Sequence, residues 1–361
     1  MSQASCLSTP GVQESTAFLR TPLRLVDAEG LGLRLGRGPP VLAFVRAVAA
    51  HPAWPWSAKL GLMRTAAAWL LRRFQCDADL TVADLTRPLS AAVRDELIDP
   101  LCVAALNTPS AEASGEVFLR VFGDALFTGA GSADLLLPRL DLGEVLPKPA
   151  KRWLEERGAE THLRHRVEAI ETEKTGWRVD GRRFDAVVLA ASPIESARLV
   201  ADLNRAWAAS AIALRYEPIV TIYLRSQGAR LPEPMLGLRT GPDRPAQFVF
   251  DRGQLGGPPG LLAFVISAAQ RWVDAGSERT LAVTRRQAEA ALGELLAGPL
   301  ETVRLVTERR ATIRCTPKLS RPPMRIDHNL LAAGDHVEGA YPSTLEGAVR
   351  SGRAAVHALR L

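Results

Sequence analysis

Two stretches near the C-terminus, Leu330-Leu-Ala-Ala-Gly-Asp335 and Ser343-Thr-Leu-Glu-Gly-Ala-Val-Arg-Ser-Gly-Arg-Ala-Ala-Val-His-Ala-Leu359, decide the fold class. The first is a short apolar run that ends at an acid, the pattern of a strand buried on both faces of a parallel sheet. The second has helical spacing, with Ser343 and Glu346 set for a capping box. A helix that begins just past a strand end aims unpaired N–H groups at the space above the sheet, and that space favours an anion or an electron-rich oxygen. Gly334 would let a ligand approach the backbone, Asp335 can accept from a ribityl or ribose hydroxyl, and the amides near Thr344, Leu345 and Glu346 can bond a ring oxygen. An ordinary strand, loop and helix with a surface Asp335 would read the same way.

Working outward, Glu160 to Ile170, Gly176 to Gly181 and Phe184 to Pro193 read as three strands with tight turns, followed by a helix from Glu195. Ala186 to Ala191 is again continuously apolar. Residues 151–206 and 326–361 are therefore the two pieces of an α/β nucleotide-binding layer. Between them, residues 207–325 form a mixed substrate domain, with strands at Ile219 to Leu224, Gln247 to Asp251 and Leu261 to Ser267 and a long helix from Glu278 to Leu296. Residues 1–150 read as a mostly helical cap that opens on a hairpin, Leu23 to Leu35, turning at Asp27 to Gly30. Lys59 to Phe74 places Leu60, Met63, Ala67, Leu70 and Phe74 on one stripe, with Lys59, Arg64, Arg72 and Arg73 as cations. Such a helix either packs its stripe on the core or lies on a membrane surface. Thr81 to Leu106 is helical, with a capping box at Thr81 and Asp84 and a break or kink at Pro100. Ala150 to Arg157 is a helix ended by Gly158.

The 361 residues make about two domains, and 47% apolar with 23% charged residues gives a folded globular chain, not a disordered or fibrous one. The longest uncharged apolar run, around Gly260 to Ala269, is about half of what crosses a bilayer. Met1-Ser2-Gln3-Ala4-Ser5 lacks a basic region followed by an apolar one, so a cytoplasmic protein is expected. Cys6, Cys76, Cys102 and Cys315 are scattered without a C-x-x-C pair, which reads as reduced and structural. The net charge of +6 comes from dispersed Arg without interleaved aromatics. Nucleic acid is a poor partner for it, and weak attraction to an anionic membrane surface fits better.

Gly334-Asp335 together with Tyr341-Pro-Ser-Thr-Leu-Glu-Gly-Ala-Val-Arg-Ser-Gly352 resembles the C-terminal flavin motif of the amine oxidase and phytoene desaturase superfamily. Cys102 to Pro109, Ala133 to Arg139 and Phe248 to Gly253 resemble its squalene-associated branch, the hydroxysqualene dehydroxylases. The resemblance implies an α/β fold with an FAD-binding Rossmann-like domain, incomplete at its N-terminus and interleaved with a mixed sheet-and-helix substrate domain. It implies FAD as cofactor, an apolar C30 isoprenoid as substrate, and the replacement of the allylic hydroxyl of hydroxysqualene by hydrogen in squalene and hopanoid synthesis. Contact with the inner face of the cytoplasmic membrane and with the upstream squalene-pathway synthases follows from the same resemblance. So do roles for the backbone of Val167, after Arg166, against the adenine, and for Gly334, Asp335 and Leu345 along the ribityl, pyrophosphate and ring parts.

One departure stands out. The family opens with a strand, G-x-G-x-x-G and a helix, but here Gly30 and Gly32 lead to Leu35, Gly36 and Gly38 to Val41, and Gly129 and Gly131 to Asp134. A chain truncated at its front is the expectation, with weak FAD binding and poor folding. Asp124, Asp251 and Glu346 are candidate proton donors to the leaving hydroxyl, although each reads more readily as a solvated or structural carboxylate. His162 and His165 should point to opposite faces of a strand, and His336 is the histidine nearest the presumed site. No metal site is expected. Desaturation of a carotenoid-type polyene, an amine-oxidase-like reaction and an inactive fragment that needs a separate N-terminal piece are the alternatives.

Overall fold

The computed structural model describes residues 12–36, 38–129 and 131–359. The N-terminal stretch Met1 to Ser5 and Cys6 lie outside the described residues. The chain divides into two units, each discontinuous in sequence: Met1–Glu14, Asp141–Arg215 and Leu319–Leu361 make one, and Ser15–Leu140 and Tyr216–Lys318 the other.

In the first unit, Leu330–Ala332 runs parallel to Val187–Leu189, with Leu331 opposite Val188, and antiparallel to Arg325–Asp327. Leu330, Leu331 and Ala332 are fully buried, as an all-apolar strand in a parallel pairing must be. A meander of Ile170–Glu173, Gly176–Val179 and Arg182–Phe184 accompanies it. The expected strand over Glu160 to Ile170 starts only at Ile170. The residues before it are irregular because the Asp180 carboxylate accepts the N–H groups of Glu168 at 2.9 Å and Ala169 at 3.0 Å, taking the place of a ladder partner. Phe184 to Pro193 is two strands, not one, Arg182–Phe184 and Val187–Leu189. The last helix, Leu345–Ala358, buries Ala355 against Leu331 and Ala333.

The second unit holds a five-stranded antiparallel sheet in the order Met235–Gly237, Phe248–Asp251, Leu261–Ile266, Tyr216–Arg225, Glu301–Ile313. The helix Ser277–Leu292 packs Val283, Ala288 and Leu292 into the same cluster as Val220, Ile222 and Phe264. The 13-residue strand Glu301–Ile313 was not expected from sequence. Its charges face water along a sheet edge, where they block further pairing and mask the apolar alternation that marks a strand. The hairpin forms as expected, Arg24–Val26 with Gly32–Arg34.

A second, helical core in this unit gathers Pro40–Ala50, Trp56–Leu71 and Gly115–Phe127 around Phe44, Leu62, Trp69, Phe118 and Phe122. The Thr81 and Asp84 capping box is present. Pro100 has no N–H to donate and its ring crowds the carbonyl four residues back. The chain widens into a π turn at Arg94–Ile98 before resuming as Asp99–Leu106.

Candidate functional site

The strand Leu330–Ala332 ends in a loop that returns to the helix Leu345–Ala358. Arg321, 9% exposed, ties that loop down: its guanidinium donates to the carbonyls of Val337 at 2.7 Å, Asp335 at 3.3 Å and Gly339. Asp335 also accepts the Ser343 N–H at 3.2 Å on its carbonyl, so the backbone here is fixed by the chain itself. Its carboxylate lies 3.9 Å from His336 Nδ1 and the side chain is 44% exposed.

One expectation changes here. The helix cap is Thr344, one residue later than Ser343, and its hydroxyl accepts the Gly347 N–H at 2.9 Å. Ser343 sits at φ +53, outside the helix, and Glu346 bonds Arg350 at 2.6 Å. Glycine is required at 347, since a Cβ there would lie 2.1 Å from the Tyr341 carbonyl. At Gly334 a Cβ would meet the chain's own His336 ring at 2.6 Å. The Gly334 N–H is taken as well, by Ser351 Oγ at 2.8 Å.

His336 is 2% exposed and its Nε2 has no partner among the described residues. Burial pushes its pKa down; nearby Asp335 acts the other way and Arg321 adds to the fall. The ring is therefore neutral at pH 7. Leu345, 74% exposed at the first helical position, has an N–H at the positive end of the helix dipole. In the same unit, Arg198 donates to the carbonyls of Val167 at 2.6 Å and Glu168 at 3.1 Å. Arg198, then Arg166, hold the Glu195 carboxyl below its usual range.

Sequence reading missed Arg321 and Ser351, because a buried Arg and a mid-helix Ser carry no local pattern. The other candidates lie elsewhere. Asp251 is 2% exposed and both its oxygens are occupied, which removes it as a proton donor. His162 and His165 lie on the irregular segment, not on a strand, and pair with Glu160 and Asp180 at 3.2 and 3.1 Å. Asp124 sits on the helix Gly115–Phe127 of the second unit. No cluster of metal-ligating side chains occurs among the described residues. Cys76, Cys102 and Cys315 are free thiols, and burial pushes Cys102 up to about 12.

The segments that carried the resemblance also act as braces. Asn107, 3% exposed at the end of Asp99–Leu106, bonds Glu217 and Thr312 through its amide nitrogen and accepts the Ala268 N–H at 2.6 Å. It joins the helical layer to the sheet.

A family model described as flavin containing amine oxidoreductase matches residues 9–360. A hydroxysqualene dehydroxylase of Sinorhizobium fredii is 30% identical over 281 residues, 75% of this chain and 63% of that relative. One of Zymomonas mobilis is 25% identical over 92% of this chain and 76% of the relative. The chain thus spans about 63% of the length of the first of these relatives. Among solved structures, a putrescine oxidase bound to putrescine superposes with a TM-score of 0.61 at 14% identity, over 99% of this chain and 85% of that one. An oxidoreductase from Methanosarcina mazei gives 0.64 at 15% identity, over 84% and 73%. With a match that runs almost from end to end and a shared fold, the chain belongs to the flavin-containing amine oxidoreductase family.

Proposed function

We propose that this chain uses FAD to remove the allylic hydroxyl of hydroxysqualene, giving squalene. The observation that carries the reading is the similarity to relatives named hydroxysqualene dehydroxylase, at 25–30% identity. FAD is the cofactor of the family. The C-terminal residues fit one end of it. Asp335 offers an open acceptor to a ribityl hydroxyl, and the Leu345 N–H offers a donor to a ring oxygen at the helix start. Glycine at 334 and 347 leaves room there for the His336 ring and the Tyr341 carbonyl. No G-x-G-x-x-G is present to cradle the pyrophosphate, so we propose weak FAD binding by this chain alone.

Reduced FAD supplies hydride when bound. With the cofactor bound, that hydride would replace the departing allylic hydroxyl, whose oxygen would leave as water after taking a proton. The chain's part is to orient the cofactor through Asp335 and Leu345 and to keep His336 neutral beside them. An apolar C30 substrate resides in lipid, which brings the chain to a membrane surface.

Quenching of flavin fluorescence on titration of the chain with FAD tests the first step, and squalene formed from hydroxysqualene with reduced FAD tests the second. Bound flavin with only desaturated polyene products would replace the proposed reaction with a desaturation. A folded chain that takes up no flavin would overturn the proposal for this chain.

A further inference from the structure

Between Glu29 and Asp77 the sequence has no Asp and no Glu, although acids and bases are interspersed elsewhere. The helices Pro40–Ala50 and Trp56–Leu71 lie in that stretch and touch each other. Both bury their inner stripes in one cluster, through Phe44, Ala47 and Val48 on one and Leu62, Ala66 and Trp69 on the other. Lys59, 7% exposed, donates to the Ala49 carbonyl at 2.7 Å and locks the start of the second helix to the end of the first. Expected as a surface cation, it is a structural clasp.

The outer stripes are not polar. Val41, Leu42 and Val45 face out from the first helix, and Trp56, Leu60 and Leu71 from the second, at 63%, 59% and 85% exposure. The expected stripe of Leu60, Met63, Ala67, Leu70 and Phe74 is thus split. Met63 and Phe74 pack partly inward, while Leu60 and Leu70 turn to water. Arg64 lies within the outer stripe, Arg46 on the first helix, and Arg72 and Arg73 just beyond the second. Among the described residues none of these four arginines pairs with a carboxylate. Water-facing apolar side chains on two adjacent helices mark an interaction surface.

We infer that this face docks on an anionic lipid surface, with Trp56, Leu60 and Leu71 in the acyl boundary and the arginines among headgroup phosphates. Membrane contact belongs to the reading above, on which this inference rests; the face and the charge of the lipid are added here. Charge decides the occupant. A second copy of the chain would set arginine against arginine, whereas phosphate headgroups complement a cationic stretch that has no acid of its own. No helix among the described residues is long and apolar enough to cross a membrane.

The test is flotation of the 361-residue chain with phosphatidylglycerol vesicles and with pure phosphatidylcholine vesicles, in low and high salt. Binding to the anionic vesicles that salt weakens is expected. The double variant L60E/L71E, at exposed positions, should keep its circular dichroism and lose at least about tenfold in partitioning. The triple variant R64Q/R72Q/R73Q should lose about a hundredfold on anionic vesicles and change nothing on neutral ones. Tryptophan emission should shift to the blue on vesicle addition, and Trp56→Phe should abolish most of that shift. A folded chain that fails to float, or floats equally with both variants, overturns the inference. So does a dimer dispersed by L60E/L71E without vesicle binding, which would make the face a self-interface. Flotation reads neither flavin nor turnover, so a failure of the proposed reaction leaves this outcome distinct.

Discussion

Asp251 ends the strand Phe248–Asp251 of the antiparallel sheet, and Asp335 follows the strand Leu330–Ala332 of the parallel pair. In sequence both are an acid at the close of an apolar run. Asp251 is buried, with Oδ1 accepting the Gly253 N–H at 3.0 Å and Oδ2 accepting from the Leu231 N–H at 3.1 Å and the Gln254 amide at 2.8 Å. Asp335 gives the fold its backbone carbonyl, while its carboxylate lies 3.9 Å from His336 Nδ1 and its side chain is 44% exposed. A buried carboxylate must be saturated by donors, and once saturated it has nothing left for a ligand. What separates a brace from a site is therefore where the donors come from. Gly253 and Gln254 follow Asp251 at once and wrap it, whereas the residues after Asp335 give their carbonyls to Arg321.

The largest effect should come from breaking the closed member. Asp251→Ala strands the buried Leu231 N–H and removes three hydrogen bonds to a charged acceptor, which should cost about 3–5 kcal/mol in a urea unfolding measurement. An unchanged unfolding midpoint would mean that Asp251 is no brace. The converse variant, Asp335→Asn, should change stability by less than about 0.5 kcal/mol. Its dissociation constant for FAD should rise about 10–100-fold, the loss of one charge-assisted hydrogen bond. Equal affinity in Asp335→Asn and the parent would take Asp335 out of the site.

The sequence made the strand and helix of the C-terminal unit legible, because Leu330 to Ala332 is all apolar and Leu345 to Ala358 holds a helical period. The hairpin at Asp27 to Gly30 and the Thr81 capping box were legible for the same local reason. What was hidden depends on partners far along the chain. Arg321 reaches loop carbonyls 14 to 18 residues away. The charged edge strand Glu301–Ile313 carries none of the alternation that marked its neighbours. Capping by Thr344 instead of Ser343 turned on a single residue at φ +53, a backbone choice no composition reveals.

Smaller effects sharpen the open side. Thr344→Ala removes the acceptor for the Gly347 N–H and should lower stability by about 1 kcal/mol. Because the cap fixes the start of the helix that offers the Leu345 N–H, FAD affinity should fall with it; a stability loss alone would detach that N–H from the flavin. His336 gives the smallest signal. Burial holds its pKa in the folded chain below the ordinary value of 6.5, so below that pH the unfolded chain binds the proton that the folded chain refuses. Stability from this residue is fully present above about pH 7 and declines as pH falls, by at most about 0.7 kcal/mol between pH 7 and 6. Burial lowers the His51 pKa too, so His336→Gln should remove only its own share of the slope. A slope unchanged by His336→Gln would mean that Nε2 finds a polar partner once the protein is in water, and the open side of the comparison would then extend from the Asp335 carboxylate to the ring behind it.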